Sequence, residues 1–102
     1  MTLNEYQSLA WSTAKPTAQN TNYMVLGLCS EAGEVAGKWK KQLRDGTDMR
    51  DQIVDELGDA LWYVAGSAKS QGITLGEIAQ RNIEKLADRQ QRGVIGGSGD
   101  NR

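Results

Sequence analysis

The stretch LCSEAGEVAGKWKK, Leu28 to Lys41, carries an apolar pattern typical of an amphipathic helix. Its apolar side chains recur at intervals of three and four residues, which is the period of one helix face. The turn-forming segment RDGTD, residues 44–48, follows soon after. We therefore predict a helix from about Asn22 to Leu43. The apolar stripe of this helix consists of Val25, Leu28, Ala32, Val35, Ala36, Trp39 and Leu43.

Further helices are predicted on both sides of this stretch. Thr2 with Glu5, and Thr74 with Glu77, have the spacing of a capping box, which opens a helix. No segment alternates between apolar and polar residues as a half-buried strand does. The predicted fold is therefore an all-α, antiparallel helical bundle of about four helices. The additional helices run from Leu3 to about Ala14, from about Met49 to Ser70, and from the Thr74 cap to about Gln91.

The length of the chain limits what it can bury. Its 102 residues fit one small domain with a limited core, for which oligomerisation is a common remedy. We expect residues 1–92 to form the domain. The glycine-rich residues 93–102 are predicted to form a flexible tail.

Composition excludes several classes of protein. The net charge of −1 gives no general attraction to nucleic acid or to an anionic membrane, and no apolar run approaches the roughly 20 residues of a membrane span. The single cysteine, Cys29, allows no internal disulfide and fits a cytoplasmic location. Histidine is absent, which excludes Ser–His and Cys–His catalysis and histidine-ligated zinc.

Two pairs of acidic residues lie on neighbouring predicted helices: Glu31 with Glu34, and Glu56 with Asp59. Residues three apart share a helix face, and each pair borders an apolar stripe. Antiparallel packing would therefore direct the four carboxylates into one cleft. One like-charge pair at 4 Å costs about 4 kcal/mol at an effective dielectric of 20, so the cluster needs protons or cations.

Oxygen ligands without histidine or thiolate favour Mg²⁺, Mn²⁺ or Ca²⁺ over zinc. Because Mg²⁺ usually binds few carboxylates together with substrate phosphates, the acid pairs indicate a nucleotide site. The alternative is an ordinary solvated helix surface, since Glu34 and Lys38 have the spacing of a helical salt bridge. The matched second pair favours the metal site.

Several polar residues are candidates for contacts to phosphate. Asn82 lies within the apolar stripe of the last helix, where a buried amide needs partners. Lys85 and Arg89 follow on the same side. These three residues either hold a phosphate chain or are a core asparagine and two surface cations. Tyr63, one turn after Asp59, is a candidate contact or a residue at the edge of the core.

Gln7 and Trp11 are candidates for contacts to a nucleobase. They lie four residues apart on the first helix, where Trp can stack on a base and Gln can read its edge. Packing is the alternative role for Trp11. Trp39 and Trp62 are predicted to lie in the core or at a subunit interface.

The motifs EAGE at residues 31–34 and ELGD at residues 56–59 together resemble the all-α nucleoside triphosphate pyrophosphohydrolases of the MazG type. LNEYQSLAWSTA at residues 3–14 is similar to the first helix of that family, and RNIEKLADR at residues 81–89 to its last. The resemblance covers most of residues 2–92 and is to a short, single-module member.

The resemblance implies Mg²⁺-dependent hydrolysis of (deoxy)nucleoside triphosphates to a nucleoside monophosphate and pyrophosphate, as nucleotide-pool house-cleaning, with Mn²⁺ as a possible substitute. It implies a homodimer or homotetramer. From the net charge and the lack of a long apolar run we expect no nucleic-acid or membrane partner. One alternative is a related pyrophosphohydrolase acting on phosphoribosyl-ATP or deoxyuridine nucleotides, and another is a non-catalytic, antitoxin-like interaction module. The implied metal-binding and catalytic residues are Glu31, Glu34, Glu56 and Asp59, with phosphate contacts at Lys38, Asn82 and Lys85.

Overall fold

The computed structural model describes all 102 residues, as four α-helices, a one-turn 3₁₀ helix and no strand. The predicted all-α class is therefore confirmed, and the predicted helix ends lie within two residues of those observed. The helices are α1 (Leu3–Ser12), α2 (Thr21–Asp45), α3 (Arg50–Ser70) and α4 (Leu75–Gln91), and the 3₁₀ turn, Pro16–Ala18, lies between α1 and α2.

The helix ends follow local hydrogen-bonding chemistry. At the start of α1, the Thr2 hydroxyl accepts a hydrogen bond from the Glu5 N–H at 3.0 Å, and the Glu5 carboxylate accepts one from the Thr2 N–H. At the start of α4, the Thr74 hydroxyl accepts from the Glu77 N–H at 3.1 Å. Gly46 ends α2 in the left-handed conformation, with φ of 71°, which glycine adopts without steric cost.

The main structural unit is the pair of α2 and α3. Met24 of α2 lies against Gly66 of α3, and Tyr63 of α3 lies against Gly27 of α2. A Cβ at either glycine would overlap the facing side chain. Residue numbers rise along α2 while those of the contacting partners fall along α3, so the two helices run in opposite directions.

The side chain of Gln7 joins α1 to the end of α3 and the start of α4. Its Nε2 donates to the carbonyl oxygens of Ala65 at 3.2 Å and Ile73 at 2.9 Å, and its Oε1 accepts from the Leu75 N–H at 3.1 Å. Around this amide the buried apolar residues are Ala10, Ala65, Ala68 and Leu75.

The core is small for a chain of this length. Only 10 of the 102 residues are buried, and Met24 is the single large side chain that is fully buried. The radius of gyration is 16.2 Å, against about 13 Å for a compact domain of 100 residues. The chain by itself therefore leaves much apolar surface exposed to solvent.

Part of the predicted core is exposed. Trp39 and Leu43 at the end of α2 are 50% and 71% exposed, and Leu57 on α3 is 52% exposed. These stripes pack only partly within the chain, because α1 spans only 10 residues and covers the C-terminal half of α3. The opposite half of the α2–α3 pair has no covering helix.

Candidate metal centre

Three of the four predicted acids converge on one point. Glu31 of α2 and Glu56 and Asp59 of α3 each present a carboxylate oxygen, and the three oxygens lie within 4.8 Å of one another. Glu31 lies four residues after Gly27, and Asp59 four residues before Tyr63. Because a helical turn is 3.6 residues, the acids occupy the layer next to the close Gly27–Tyr63 contact.

The cluster carries uncompensated negative charge. Partial burial raises the pKa of Glu31, as do a hydrogen bond with the Glu56 carboxyl and the charges of Asp59, Glu56 and Glu34. None of the ion pairs in the chain includes a member of the cluster. Carboxylates this close repel one another, and a bound cation would offset that repulsion.

The donor set fits a hard divalent cation. All three ligand atoms are carboxylate oxygens, which Mg²⁺, Mn²⁺ and Ca²⁺ prefer. Oxygens bound to one octahedral Mg²⁺ lie at most about 4.2 Å apart, so modest side-chain rotations would bring these three into its coordination sphere.

Glu34 lies outside this cluster. It is exposed, and it forms no ion pair with Lys38, so the salt bridge of the solvated-surface interpretation is absent. Glu34 lies about 60° from Glu31 around the helix axis, and its carboxylate is not among the three that converge. Its charge nevertheless helps to raise the pKa of Glu31. Lys38, one turn further along α2, is half-buried and unpaired.

An open hollow of about 290 Å³ adjoins the acids and is lined by Glu31, Asp59, Trp62 and Tyr63. The two aromatic rings meet edge to face, with centroids 4.9 Å apart. Burial raises the pKa of Tyr63, together with a hydrogen bond to Tyr23 and the nearby charges of Tyr23, Glu31 and Asp59. The structure therefore places Tyr63, a predicted phosphate contact, beside the acid cluster.

Asn82 is exposed, and the prediction of a buried amide in the last helix is wrong. The reason is that α4 packs chiefly on α1, through its first turns, and leaves most of its apolar stripe open. Asn82 instead lines a separate hollow with Ile78, Arg81 and Lys85. Within one chain, this hollow shares no residue with that of the acids.

Lys85 and Arg89 bind the end of the chain rather than the acid cluster. Lys85 Nζ lies 3.0 Å from the Asp100 carboxylate, and Arg89 donates to the Asp100 carbonyl oxygen at 2.7 Å and to its carboxylate at 3.1 Å. These contacts bury Arg89 and lower the pKa of Asp100. Both cations thus contact a carboxylate. A phosphate group presents anionic oxygen acceptors of the same kind.

The nucleobase prediction for Gln7 is wrong. The Gln7 side chain is buried, and its amide already makes three hydrogen bonds within the chain. Trp11 packs against the buried cluster of Ala14, Ala18 and Met24, which favours the packing alternative. Trp62 also packs within the chain, since its Nε1 donates to Thr13 Oγ1 at 2.9 Å.

The contact between Gly27 and Tyr63 is not predicted from the sequence, although the spacing of these residues from the acids contains a signal for it. A glycine four residues before Glu31 and a tyrosine four residues after Asp59 are mirrored positions on two helices that run in opposite directions. Recognising that pairing requires knowledge of which α2 residue faces which α3 residue.

The fold and the acid cluster define an all-α protein with a candidate site for a divalent cation. The family described as the MazG nucleotide pyrophosphohydrolase domain matches residues 19–94, and the chain belongs to this family. The predicted resemblance is thereby confirmed. The matched segment includes all four predicted acids.

The chain is also 47% identical over 89 residues to the Gene 37 protein of Mycobacterium phage L5, and the alignment covers 82% of this chain and 78% of that protein. No solved structure matches the chain. None of its helices combines the length and apolar character needed to cross a membrane.

Proposed function

We propose that the protein hydrolyses (deoxy)nucleoside triphosphates to a nucleoside monophosphate and pyrophosphate, with Mg²⁺ or Mn²⁺ as the metal. The observation that carries this proposal is the convergence of Glu31, Glu56 and Asp59 in a member of the MazG family. The corresponding role is house-cleaning of the nucleotide pool. The lone, exposed Cys29 supports a cytoplasmic location for it.

The chemistry needs little beyond positioning and charge neutralisation, because phosphoryl transfer requires no covalent intermediate with the protein. Glu31, Glu56 and Asp59 would hold the cation, which when bound activates a water and neutralises phosphate charge. Glu34 adds negative charge beside them. We assign Glu31 as the general base, because its carboxylate lines the hollow beside those of Glu56 and Asp59.

Two groups are proposed to bind the phosphates. Tyr63 lines the hollow beside the acids, and Lys38 is an unpaired cation on the same helix as Glu31. Asn82, Lys85 and Arg89 lie on α4, so we propose that they contact phosphates from a second chain or after a movement of α4.

The test is pyrophosphate release from a panel of ribo- and deoxyribonucleoside triphosphates with Mg²⁺, extended to dUTP and phosphoribosyl-ATP. The variant Glu56→Gln should lose at least about 100-fold in turnover, because an anionic metal ligand is removed, and should retain the helical circular-dichroism spectrum. Asp55→Asn is the matched control, since Asp55 is the exposed neighbouring acid outside the cluster.

Near-normal turnover by Glu56→Gln would refute the metal assignment. A wild-type protein that releases no pyrophosphate from any of these nucleotides would instead support the non-catalytic interaction module.

We also propose that the working form is a homodimer or a homotetramer. The chain exposes 7172 Å², whereas a folded monomer of 11.1 kDa exposes about 5,700 Å². The excess of about 1,500 Å² per chain corresponds to about 3,000 Å² buried in a dimer, which lies within the range of obligate homodimers.

The surface that fits this role is an apolar face on the α2–α3 pair. Its members include Trp39 and Leu43 of α2 and Leu57 and Leu61 of α3, each at least 40% exposed. At 100° per residue, Leu57 and Leu61 continue the face of α3 that carries Ala65 and Ala68, on which α1 packs further along the helix. Trp39 and Leu43 lie about a third of a turn from the residues of α2 that contact α3.

Light scattering coupled to size-exclusion chromatography should therefore find a dimer or tetramer. The double variant Leu57→Lys/Leu61→Lys should be monomeric, because each lysine would have to bury its charge in the interface. Leu9→Lys is the control, since Leu9 is 61% exposed on α1, outside this face. A monomeric wild-type protein at micromolar concentration would refute the proposal.

A further inference from the structure

Gly27 is the only glycine inside α2 at which a neighbour leaves no room for a side chain. A Cβ built there would overlap Cε1, Cδ1 and Cζ of the Tyr63 ring. At Gly33 and Gly37 a Cβ would meet nothing within 4 Å. At Gly27, therefore, the missing side chain makes room for the Tyr63 ring.

This close contact lies one helical turn from the acid cluster on both helices. Glu31 follows Gly27 by four residues, and Asp59 precedes Tyr63 by four, so each acid stacks directly beside one member of the contact. Tyr63 also lines the hollow together with Glu31 and Asp59. The separation of α2 and α3 at the acids is therefore coupled to the packing of this ring against the backbone of α2.

We propose that Gly27 is a positioning residue for the metal centre. Its missing side chain lets the Tyr63 ring pack against α2, and this sets the separation at which the Glu31 carboxylate reaches those of Glu56 and Asp59. The inference rests on the proposed function for the metal itself, and on the observed packing for the role of the glycine.

A side chain added at Gly27 must displace the Tyr63 ring or the backbone of a helix. The overlapped atoms belong to an aromatic ring rather than to the end of a flexible chain. The ring is also held edge to face against Trp62. An added methyl group therefore either rotates the ring into the hollow or separates α2 from α3. Either response displaces the wall of the site or the Glu31 carboxylate.

The test compares Gly27→Ala with Gly37→Ala, the same chemical change on the same helix without a neighbour. Mn²⁺ alone is the probe, and the free ion is measured by electron paramagnetic resonance without nucleotide. Gly27→Ala should bind Mn²⁺ at least tenfold more weakly than wild type, and Gly37→Ala within twofold of it. The near-ultraviolet circular dichroism of the Trp62–Tyr63 pair should change in Gly27→Ala alone.

The Tyr63→Ala variant shows whether the effect of Gly27→Ala depends on the aromatic ring. In Tyr63→Ala the added methyl group meets no ring, so Gly27→Ala should reduce Mn²⁺ affinity less than twofold further. A purely structural effect of alanine on the helix would persist in that background. If Gly27→Ala alone fails to fold, the double variant Gly27→Ala/Tyr63→Ala should regain the helical spectrum, and its failure to do so overturns the inference.

The outcomes separate the two proposals. If wild type binds Mn²⁺ and the Gly27→Ala and Gly37→Ala variants bind it equally well, the positioning role alone is overturned. If wild type binds no Mn²⁺, the proposed metal-dependent function is overturned and the positioning role with it.

Discussion

Replacing Glu31 by glutamine removes one negative charge from the acid cluster and leaves the size of the side chain unchanged. Without metal, Glu31→Gln should unfold at a higher temperature than wild type, because the Glu31 carboxylate is repelled by those of Glu56 and Asp59. With Mg²⁺ the order should reverse or the gap should close, since the variant offers the cation one anionic ligand fewer.

The separation of the carboxylates gives the expected magnitude. Their oxygens lie within 4.8 Å of one another. At that distance two unit charges repel by about 1 kcal/mol in water, and by more at a lower dielectric. Because the cluster is open to solvent, the value for water applies to the two pairs that include Glu31, giving about 1–2 kcal/mol. For a domain of this size that is about 5–10 °C in melting temperature.

The assay is thermal unfolding at neutral pH, followed by circular dichroism, with a chelator and with excess Mg²⁺. Wild type should gain about 1.4 kcal/mol at a Mg²⁺ concentration ten times the dissociation constant. Asp55→Asn serves as control, because it removes the same charge outside the cluster. A metal-free melting temperature for Glu31→Gln at or below that of wild type would refute the repulsion argument, and a wild type insensitive to Mg²⁺ would refute the metal site.

Three further outcomes are expected. Gln7→Ala should lower the free energy of unfolding by about 2–4 kcal/mol in urea denaturation, because the buried Gln7 side chain loses three hydrogen bonds; a loss below about 1 kcal/mol would contradict this. Deleting residues 93–102 should strengthen calorimetrically measured binding of inorganic pyrophosphate several-fold, since Asp100 no longer occupies Lys85 and Arg89; unchanged affinity would argue against an anion site there. The Asp100 contact should persist as pH falls to the ordinary aspartate pKa of about 3.9 and be lost through its lowered pKa, because Lys85 and Arg89 favour the carboxylate; an NMR titration midpoint at the ordinary value would contradict this.

The positions of the helices could be predicted because their signals are local. The capping box of Thr2 and Glu5 and the turn around Gly46 act within a few residues of the chain. Hydrophobic periodicity likewise depends only on neighbours within one or two turns. The acid pairs were recognisable for the same reason, because a spacing of three residues already places two carboxylates on one face.

The sequence by itself thus determined the helices, the all-α class and the acids that border the α2–α3 contact. Only the tertiary structure decided which of those side chains meet. In the folded chain Glu34 lies outside the cluster and Asn82 is exposed to solvent. Gln7 is buried where α1 meets the end of α3 and the start of α4. The physical reason is that these outcomes depend on how far one helix extends over another and on which residues face each other across α2 and α3. The close contact at Gly27 is of this kind, because it joins residues 36 positions apart that no local pattern connects.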